Sequence, residues 1–252
     1  MKKLIIALLV LPLILSGCTS SQDVEARSSL TEAIKVTNAE TKVSGKYMLE
    51  ITFEGATLYY ALGDVAWDLE AQTASVVFSQ TYLGDSSEAA NYFANGKIVS
   101  VDDGESISVE REPGELFSKF PYAKIPALPE DATLDIKNST AGTAYGFAYS
   151  DTSDISRSVV GDDIYKMVDV LKKPQPEKTR YSETACTLTV KDGRVVGCRY
   201  EFDITLFDTP AYIPGYSVPE EDYTLDLHVI AKMTYESFGD KVTVQEYSGD
   251  AE

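Results

Sequence analysis

The sequence predicts a mainly β protein of the α+β class, with one large curved antiparallel sheet, or half-barrel, and covering helices. Three observations support this fold. Apolar and polar residues alternate through much of the chain, two of the alternating segments near the end are unusually long, and only two or three segments have helical periodicity. A sheet with one apolar face needs a second layer, and the helical segments can provide it.

The first 18 residues, MKKLIIALLVLPLILSGC, have the pattern of a bacterial secretory signal. Two lysines precede an apolar run over residues 4–15, which is shorter than the roughly 20 residues of a membrane-spanning helix. A retained membrane span is therefore the weaker interpretation. Small residues then lead to Cys18, and residues 15–18 resemble the lipobox of bacterial lipoproteins.

That resemblance implies removal of residues 1–17 and attachment of fatty acyl chains, such as palmitate, at Cys18. It also implies an extracytoplasmic protein held by this lipid on the outer face of the cell membrane. Two or more acyl chains give stable attachment, whereas one chain binds a membrane only marginally. The membrane is thus the first expected partner.

The net charge of the protein limits which other classes of partner it can bind. The formal net charge is −18, and it becomes −20 when Lys2 and Lys3 leave with the signal peptide. Nucleic-acid binding depends on clustered lysine and arginine, so we exclude nucleic acid as a partner. The lipid on Cys18 must also hold the membrane without help from a basic patch.

The rest of the chain divides into a short polar tether, residues 18–27, and a single half-barrel-like domain, residues 28–252. Leu30, Ala33 and Ile34 predict a first helix over about 28–39. Alternation then predicts a meander of antiparallel strands over residues 43–53, 57–62, 64–70, 73–83, 90–94, 97–101 and 105–110. Asn95-Gly96 is a tight hairpin signal, and residues 102–105 also favour a hairpin turn.

The middle of the chain differs. Four prolines between residues 112 and 131 exclude a central strand there. Strands are predicted again over 133–137 and 143–149, and a helix is predicted from 153 or 154 to about 171. Residues 195–206 and 223–236 predict two long strands, which must twist and curl. A final strand is expected over 241–245.

Cys186 and Cys198 flank a predicted hairpin in a compartment where thiols tend to be oxidised. A three-residue loop, Lys191-Asp192-Gly193, would pair residue 190 with residue 194 and place Cys186 opposite Cys198. This geometry predicts a disulfide across the hairpin. The alternative is two unpaired thiols packed as small apolar groups.

The whole arrangement resembles the LolA, LolB and LppX-like lipoproteins. The features that carry the resemblance are the lipobox, the opening helix, the long meander, the internal proline-rich segment with its helix, and the ending Tyr-Glu-Ser-Phe-Gly-Asp-Lys-Val-Thr-Val. The resemblance implies an incomplete barrel closed by helices, with acyl chains or lipids as candidate ligands beneath them. It provides no signature motif that can be transferred residue by residue.

Two sets of residues are candidates for binding. The apolar face of the sheet would line a ligand cavity, although a packed core is the alternative that alternation more often indicates. Its candidate residues are Tyr47, Leu49, Trp67, Phe78, Tyr200, Phe202, Leu227 and Val229. Long loops are often functional, and the candidate rim residues there are Phe120, Tyr122, Tyr212 and Tyr216.

Catalytic chemistry has little support. The single histidine, His228, falls on the polar face of its strand, and Asp226 on the same face is too far along the strand for direct contact. No metalloprotease, nucleophile-elbow or phosphate-loop motif is present, and one histidine cannot build a histidine-based zinc site. We therefore expect no cofactor, no metal and no enzymatic activity.

Three functions remain. The first is non-enzymatic binding of an apolar or amphipathic ligand, such as a lipid, in the half-barrel or at its rim. The second is a structural or interaction module that binds a protein or cell-wall polymer through acidic, tyrosine-bearing loops. The third and weakest is a hydrolase that uses a pair of carboxylates, because 40 acidic residues make such pairs common by chance.

Overall fold

The computed structural model describes residues 21–110, 124–150, 179–207 and 224–249. Within these ranges, helix α1 (Ser21–Asn38) is followed by twelve strands. They are β1 (Lys42–Phe53), β2 (Ala56–Asp68), β3 (Thr73–Tyr82), β4 (Asp85–Ala94), β5 (Lys97–Asp102), β6 (Glu105–Glu110), β7 (Asp135–Ser139), β8 (Gly142–Tyr149), β9 (Thr179–Tyr181), β10 (Thr184–Lys191), β11 (Arg194–Phe207) and β12 (Thr224–Phe238).

The strands form one antiparallel sheet in the order β6-β5-β4-β3-β2-β1-β12-β11-β10-β8-β7, and β9 pairs with β11. The two halves of the chain meet where β1 pairs with β12. The sheet is open, so the predicted mainly β class with one large antiparallel sheet is confirmed. The longest strands are β11, with 14 residues, and β12, with 15, in the last third of the chain, where the sequence predicted them.

Tight turns connect the consecutive strands of the first half. Asn95 and Gly96 have φ angles of 54° and 73°, the pair of positive values that a two-residue type I′ hairpin requires. Asp103 and Gly104 adopt the same conformation between β5 and β6. Both predicted hairpin turns are therefore confirmed.

Some predicted element boundaries are wrong. Residues 56–68 form one continuous strand, β2, instead of two. The final strand predicted over 241–245 is also wrong. Gly239–Lys241 forms a 3₁₀ turn, and the chain then crosses the sheet, where the Gln245 backbone N–H donates to Ser75 Oγ at 3.2 Å. The helix predicted over about 153–171 lies outside the described residues.

Helix α1 begins at Ser21, seven residues before its predicted start at residue 28. The tether predicted over residues 18–27 is therefore wrong from Ser21 onward. Arg27 explains part of this difference, because its guanidinium donates to the carbonyl oxygens of Pro129 and Ala132 at 3.0 and 2.9 Å. These hydrogen bonds from Arg27 hold α1 against the segment that precedes β7.

The register of the β10–β11 hairpin differs from the prediction. A two-residue turn pairs Lys191 with Arg194, and a register shift follows between Thr189 and Val190. Cys198 consequently lies opposite Leu188, while Cys186 lies opposite Tyr200. The predicted opposite placement of the two cysteines is wrong, and both are free thiols in the structure instead of the predicted disulfide.

The two faces of the sheet have different roles. We call the face that carries Ile51, Tyr200 and Val229 the inner face, because its central side chains form the core; the other is the outer face. Directly paired residues share a face, so the strand registers assign every paired side chain to one of them. Helix α1 buries Leu30 and Ala33 in the same core.

Candidate functional site

All eight candidate cavity residues lie on the inner face of the sheet. Six of them are between 0% and 3% exposed: Leu49, Trp67, Tyr200, Phe202, Leu227 and Val229. Side chains lining an open, water-sized void would keep accessible area, so these six are packed against other protein atoms. Their role as ligand-cavity residues stays a prediction.

The other two candidates, Tyr47 and Phe78, are only partly buried. They lie on either side of Gly63, which pairs with Tyr47 on β1 and with Phe78 on β3. Their rings meet edge to face, with centroids 6.0 Å apart. A Cβ atom on Gly63 would lie 2.4 Å from the Val77 carbonyl oxygen, so glycine is required for this close approach. The aromatic pair marks the border between the packed core and the more accessible part of the inner face.

Beyond this border, one row of the inner face remains apolar while its burial decreases, whereas the row of Phe78 ends in the carboxylates of Asp102 and Glu105. One row of directly paired residues crosses five strands, from Trp67 through Ala74, Phe93 and Ile98 to Val109. Trp67, Ala74 and Phe93 are buried, whereas Val109 is 42% exposed. This row therefore stays apolar from the buried core to the solvent-exposed edge strand β6.

The next row repeats this change. Val76 is partly buried against the core, and the row passes through Asn91 and Ser100 to Ile107, which is 66% exposed. We call the accessible part of the inner face the arm surface, and we define it by six residues: Tyr47, Val76, Phe78, Ile98, Ile107 and Val109. Exposed isoleucine and valine on a face shared with the core are a candidate binding surface for an apolar ligand.

The cysteines belong to a second feature of the inner face, a buried thiol and tyrosine cluster. Burial raises the pKa of the Cys198 thiol to about 12, although hydrogen bonds from Tyr235 and Tyr200 oppose this rise. Burial and the neighbouring Cys198 also hold the pKa of Cys186 well above its ordinary value. Both groups are therefore protonated thiols at neutral pH, and they pack as small, unreactive core groups.

The outer face carries a cleft of about 470 Å³ near the ends of β1, β9, β11 and β12. We call it the outer cleft. Eight of its lining residues supply polar side chains: Thr52, Glu54, Arg180, Ser182, Asp203, Thr205, Asp226 and His228. Two rows of the sheet build its floor, one pairing Arg180 with Thr205 and Thr205 with Asp226, the other pairing Asp203 with His228.

His228 lies on the polar face of its strand, as predicted, and it has two carboxylate neighbours. Its Nδ1 lies 2.8 Å from Asp203 Oδ1, and its Nε2 lies 3.4 Å from Glu201 Oε1. Asp226 instead accepts a hydrogen bond from the Thr205 hydroxyl at 2.7 Å. Sequence reasoning missed Asp203 and Glu201, because their proximity to His228 depends on the register between β11 and β12.

Several predicted residues lie outside the described ranges. They are the lipidation residue Cys18 and the four rim residues Phe120, Tyr122, Tyr212 and Tyr216. Among the described residues, no group of three or more histidine, cysteine or acidic side chains is arranged to hold a metal ion. In the same part of the chain, no helix has the length and apolar character needed to cross a membrane.

The fold thus defines an open antiparallel half-barrel with an apolar inner face. No family model and no curated protein matches the sequence. Solved structures with a similar fold include LprF from Mycobacterium bovis, at 15% identity and a TM-score of 0.48, covering 89% of this chain and 98% of that one.

A LolA superfamily protein from Nitrosomonas europaea matches at 10% identity and a TM-score of 0.30, covering 88% of this chain and 94% of that one. A DUF1329 family protein from Desulfovibrio piger matches at 6% identity and a TM-score of 0.29, covering 88% and 95%. These neighbours are similar to this chain in structure alone. At these identities and TM-scores, they assign no function to the chain.

Proposed function

We propose that this chain is an extracytoplasmic protein, attached to the membrane by a lipid on Cys18, that binds a hydrocarbon chain on its arm surface without catalysing a reaction. The single observation that supports binding most strongly is the inner-face row from Trp67 to Val109. It is apolar throughout, yet it passes from full burial to 42% exposure.

The chemistry of the arm surface favours a hydrocarbon ligand. The rows that contain Ile107 and Val109 hold apolar or small uncharged side chains from β3 to β6, including Ala74, Asn91 and Ser100. An anionic ligand group would gain no partner in these two rows and would lose its hydration. An acyl chain would instead remove apolar area from water on both sides of the contact.

Attachment to a membrane is consistent with this ligand. The lipobox supports a lipid on Cys18, which lies three positions before Ser21, a residue of α1. Cα atoms three positions apart in a chain are at most roughly 11 Å apart, whatever the conformation between them. A domain held so close to the membrane would meet acyl-chain lipids as its nearest apolar molecules.

A binding role without catalysis fits the position of the only histidine. His228 is on the outer face, opposite the arm surface, and is already in contact with Asp203 and Glu201. A ligand on the inner face would therefore lie on the far side of the sheet from this group. The six residues that define the arm surface offer apolar contacts, and the carboxylates of Asp102 and Glu105 lie farther along the row of Phe78.

The proposal is tested with residues 21–252, which contain every described element, and a long-chain fatty acid as the probe. Native mass spectrometry and fluorescence titration would measure binding. Ile107→Ser with Val109→Ser removes side chains that are 66% and 42% exposed, together about one full aliphatic side chain. Burying one such side chain contributes about 1.5–3 kcal/mol, so we expect affinity to fall about tenfold or more.

Leu62→Ser is the matched control. Leu62 is 48% exposed, but it pairs with Met48 and Ser79 on the outer face, so the change should leave fatty-acid affinity unaltered. Loss of affinity in the double variant alone supports the arm surface as the binding site. Equal loss in the control, or no fatty-acid binding by the unaltered protein, would contradict the proposal.

A further inference from the structure

The outer cleft is a second, separate candidate site, because it lies on the opposite face of the sheet from the arm surface. Its volume of about 470 Å³ is within the range of small-molecule sites, roughly 300–1,000 Å³. Unlike the arm surface, it presents closely spaced hydrogen-bond donors and acceptors. The two surfaces therefore suit ligands of different chemistry.

Contacts with neighbours hold the polar groups of the cleft in place. The Asp203 backbone N–H donates to Ser182 Oγ at 2.9 Å, and the Ser182 backbone N–H donates to the Asp203 carbonyl oxygen at 3.0 Å. The Asp203 carboxylate is in turn 2.8 Å from His228 Nδ1. On the other wall, the Arg180 guanidinium lies over the Phe207 ring, with Cζ 5.6 Å from its centroid. A preorganised site loses less conformational freedom when a ligand binds.

The charge of the cleft favours cationic over anionic ligands. Glu54, Asp203 and Asp226 contribute three carboxylates, against the single guanidinium of Arg180. A phosphate or carboxylate ligand would be repelled by this excess, whereas an ammonium group would be attracted. Each carboxylate can also accept several hydrogen bonds, so those of Asp203 and Asp226 keep acceptor capacity beyond their protein contacts.

The hydroxyl-bearing groups indicate the rest of the ligand. Thr52, Thr205 and Ser182 line the cleft beside the carboxylates and the guanidinium. Hydroxyl groups both donate and accept hydrogen bonds, so a ligand rich in hydroxyls can satisfy donors and acceptors that lie side by side. We infer that the outer cleft binds an amine-bearing carbohydrate, with its ammonium group near Asp226 and Glu54 and its hydroxyls along the floor.

The experiment uses the full chain in detergent and isothermal titration calorimetry with four probes. They are a glucosamine trimer, its N-acetylated counterpart, a galacturonic acid trimer and spermidine. We expect the glucosamine trimer to bind most tightly, the acetylated trimer to bind about tenfold or more weakly than that, and the acidic trimer to give no binding heat. Spermidine, which has amines but no hydroxyls, should bind more weakly than the glucosamine trimer.

Two exposed carboxylates of β12 give a matched pair of variants. Asp226→Asn removes charge inside the cleft while keeping an oxygen for the Thr205 hydroxyl, and affinity for the glucosamine trimer should fall about tenfold or more. Glu236→Gln makes the same charge change on the same strand outside the cleft, and it should have no effect. Circular dichroism would check that both variants fold.

Four results would overturn the inference. They are absence of glucosamine-trimer binding, equal binding of the acidic trimer, equal binding of spermidine, and equal loss in the two variants. The last two would show attraction between a cation and an acidic surface instead of recognition in a cleft. Because fatty-acid binding is measured separately, this inference and the proposed function can fail independently.

Discussion

The contact between α1 and the sheet gives a sharp prediction about stability. Thr37 is buried, and its Oγ1 accepts a hydrogen bond from the Val195 backbone N–H at 2.9 Å while donating to the Ala33 carbonyl oxygen at 2.8 Å. Val195 lies just beyond Gly197, the first residue of β11 that pairs with β12. The helix therefore supplies a hydrogen-bond partner at the point where the pairing of β11 with β12 has ended.

Thr37→Val keeps the shape of the side chain but removes its oxygen. The buried Val195 N–H then has no partner, and an unsatisfied buried donor costs about 1–3 kcal/mol. The Ala33 carbonyl oxygen loses less, because as a helix carbonyl it also accepts the backbone hydrogen bond from residue 37. We therefore expect Thr37→Val to lower the free energy of unfolding by about 2 kcal/mol.

Urea unfolding with linear extrapolation measures this change. Thr37→Ser is the control, since serine keeps the oxygen and should stay closer to the unaltered protein than valine does. A Thr37→Val variant within about 0.5 kcal/mol of the unaltered protein would refute the reasoning, since ordinary surface changes are of that size. It would mean that another group satisfies the Val195 N–H.

Two further predictions concern pH. Because burial raises the pKa of Cys186 and brings that of Cys198 to about 12, the unfolded chain loses these thiol protons at lower pH than the folded chain. This contribution to the free energy of unfolding is full below the ordinary thiol pKa near 9 and is lost as the pH rises toward 12. The urea concentration at the midpoint of unfolding should therefore fall across that pH range. A constant midpoint, or rapid labelling of either thiol in the folded protein, would contradict the burial of the two thiols. Asp68 has a lowered pKa, chiefly because the Ala71 backbone N–H donates to its carboxylate, with Lys42 also contributing. The charged carboxylate of Asp68 stabilises the fold above the ordinary carboxyl pKa of 3.8, and this stabilisation is lost as the pH falls through the lower pKa of the folded state. In the Asp68→Asn variant, the free energy of unfolding should therefore depend less on pH below about 4. An unchanged pH dependence would refute the role of Asp68.

Much of the fold could be predicted because alternation with period two directly reports which side chains share a face. From Cys198 and from Leu225 onward, the long runs that became β11 and β12 gave their inner and outer residues correctly, including the outer position of His228. The start of α1 could not be predicted in the same way. Residues 21–27 lack apolar periodicity. Their position is stabilised in part by hydrogen bonds from Arg27 to the segment before β7, which is distant in the sequence.

Register was the main limit of sequence reasoning. A two-residue turn and a bulge in the β10–β11 hairpin were enough to move Cys186 from opposite Cys198 to opposite Tyr200. The contact between Asp203 and His228 was missed for the same reason, because it depends on pairing between strands that are separated by a long loop. Strand pattern identifies faces, whereas contacts across strands require the register.

The arm surface also lay beyond the reach of the pattern. Alternation looks the same whether an apolar face is packed or exposed, so Val109 and Ile107 resembled core residues as much as binding residues. Their exposure depends on what covers β5 and β6, which is a property of the folded chain. The two predicted cavity residues that belong to this surface, Tyr47 and Phe78, are the two that the structure leaves partly accessible.

Photo-crosslinking with a fatty acid that carries a diazirine near the end of its hydrocarbon chain tests the central claim most directly. After illumination, peptide mass spectrometry would locate the adducts. Binding on the arm surface predicts adducts on β5 and β6, within residues 97–110, and their loss when Ile107 and Val109 are both changed to serine. Adducts confined to the outer face around Leu62, or an adduct pattern that the double change leaves unaltered, would contradict it.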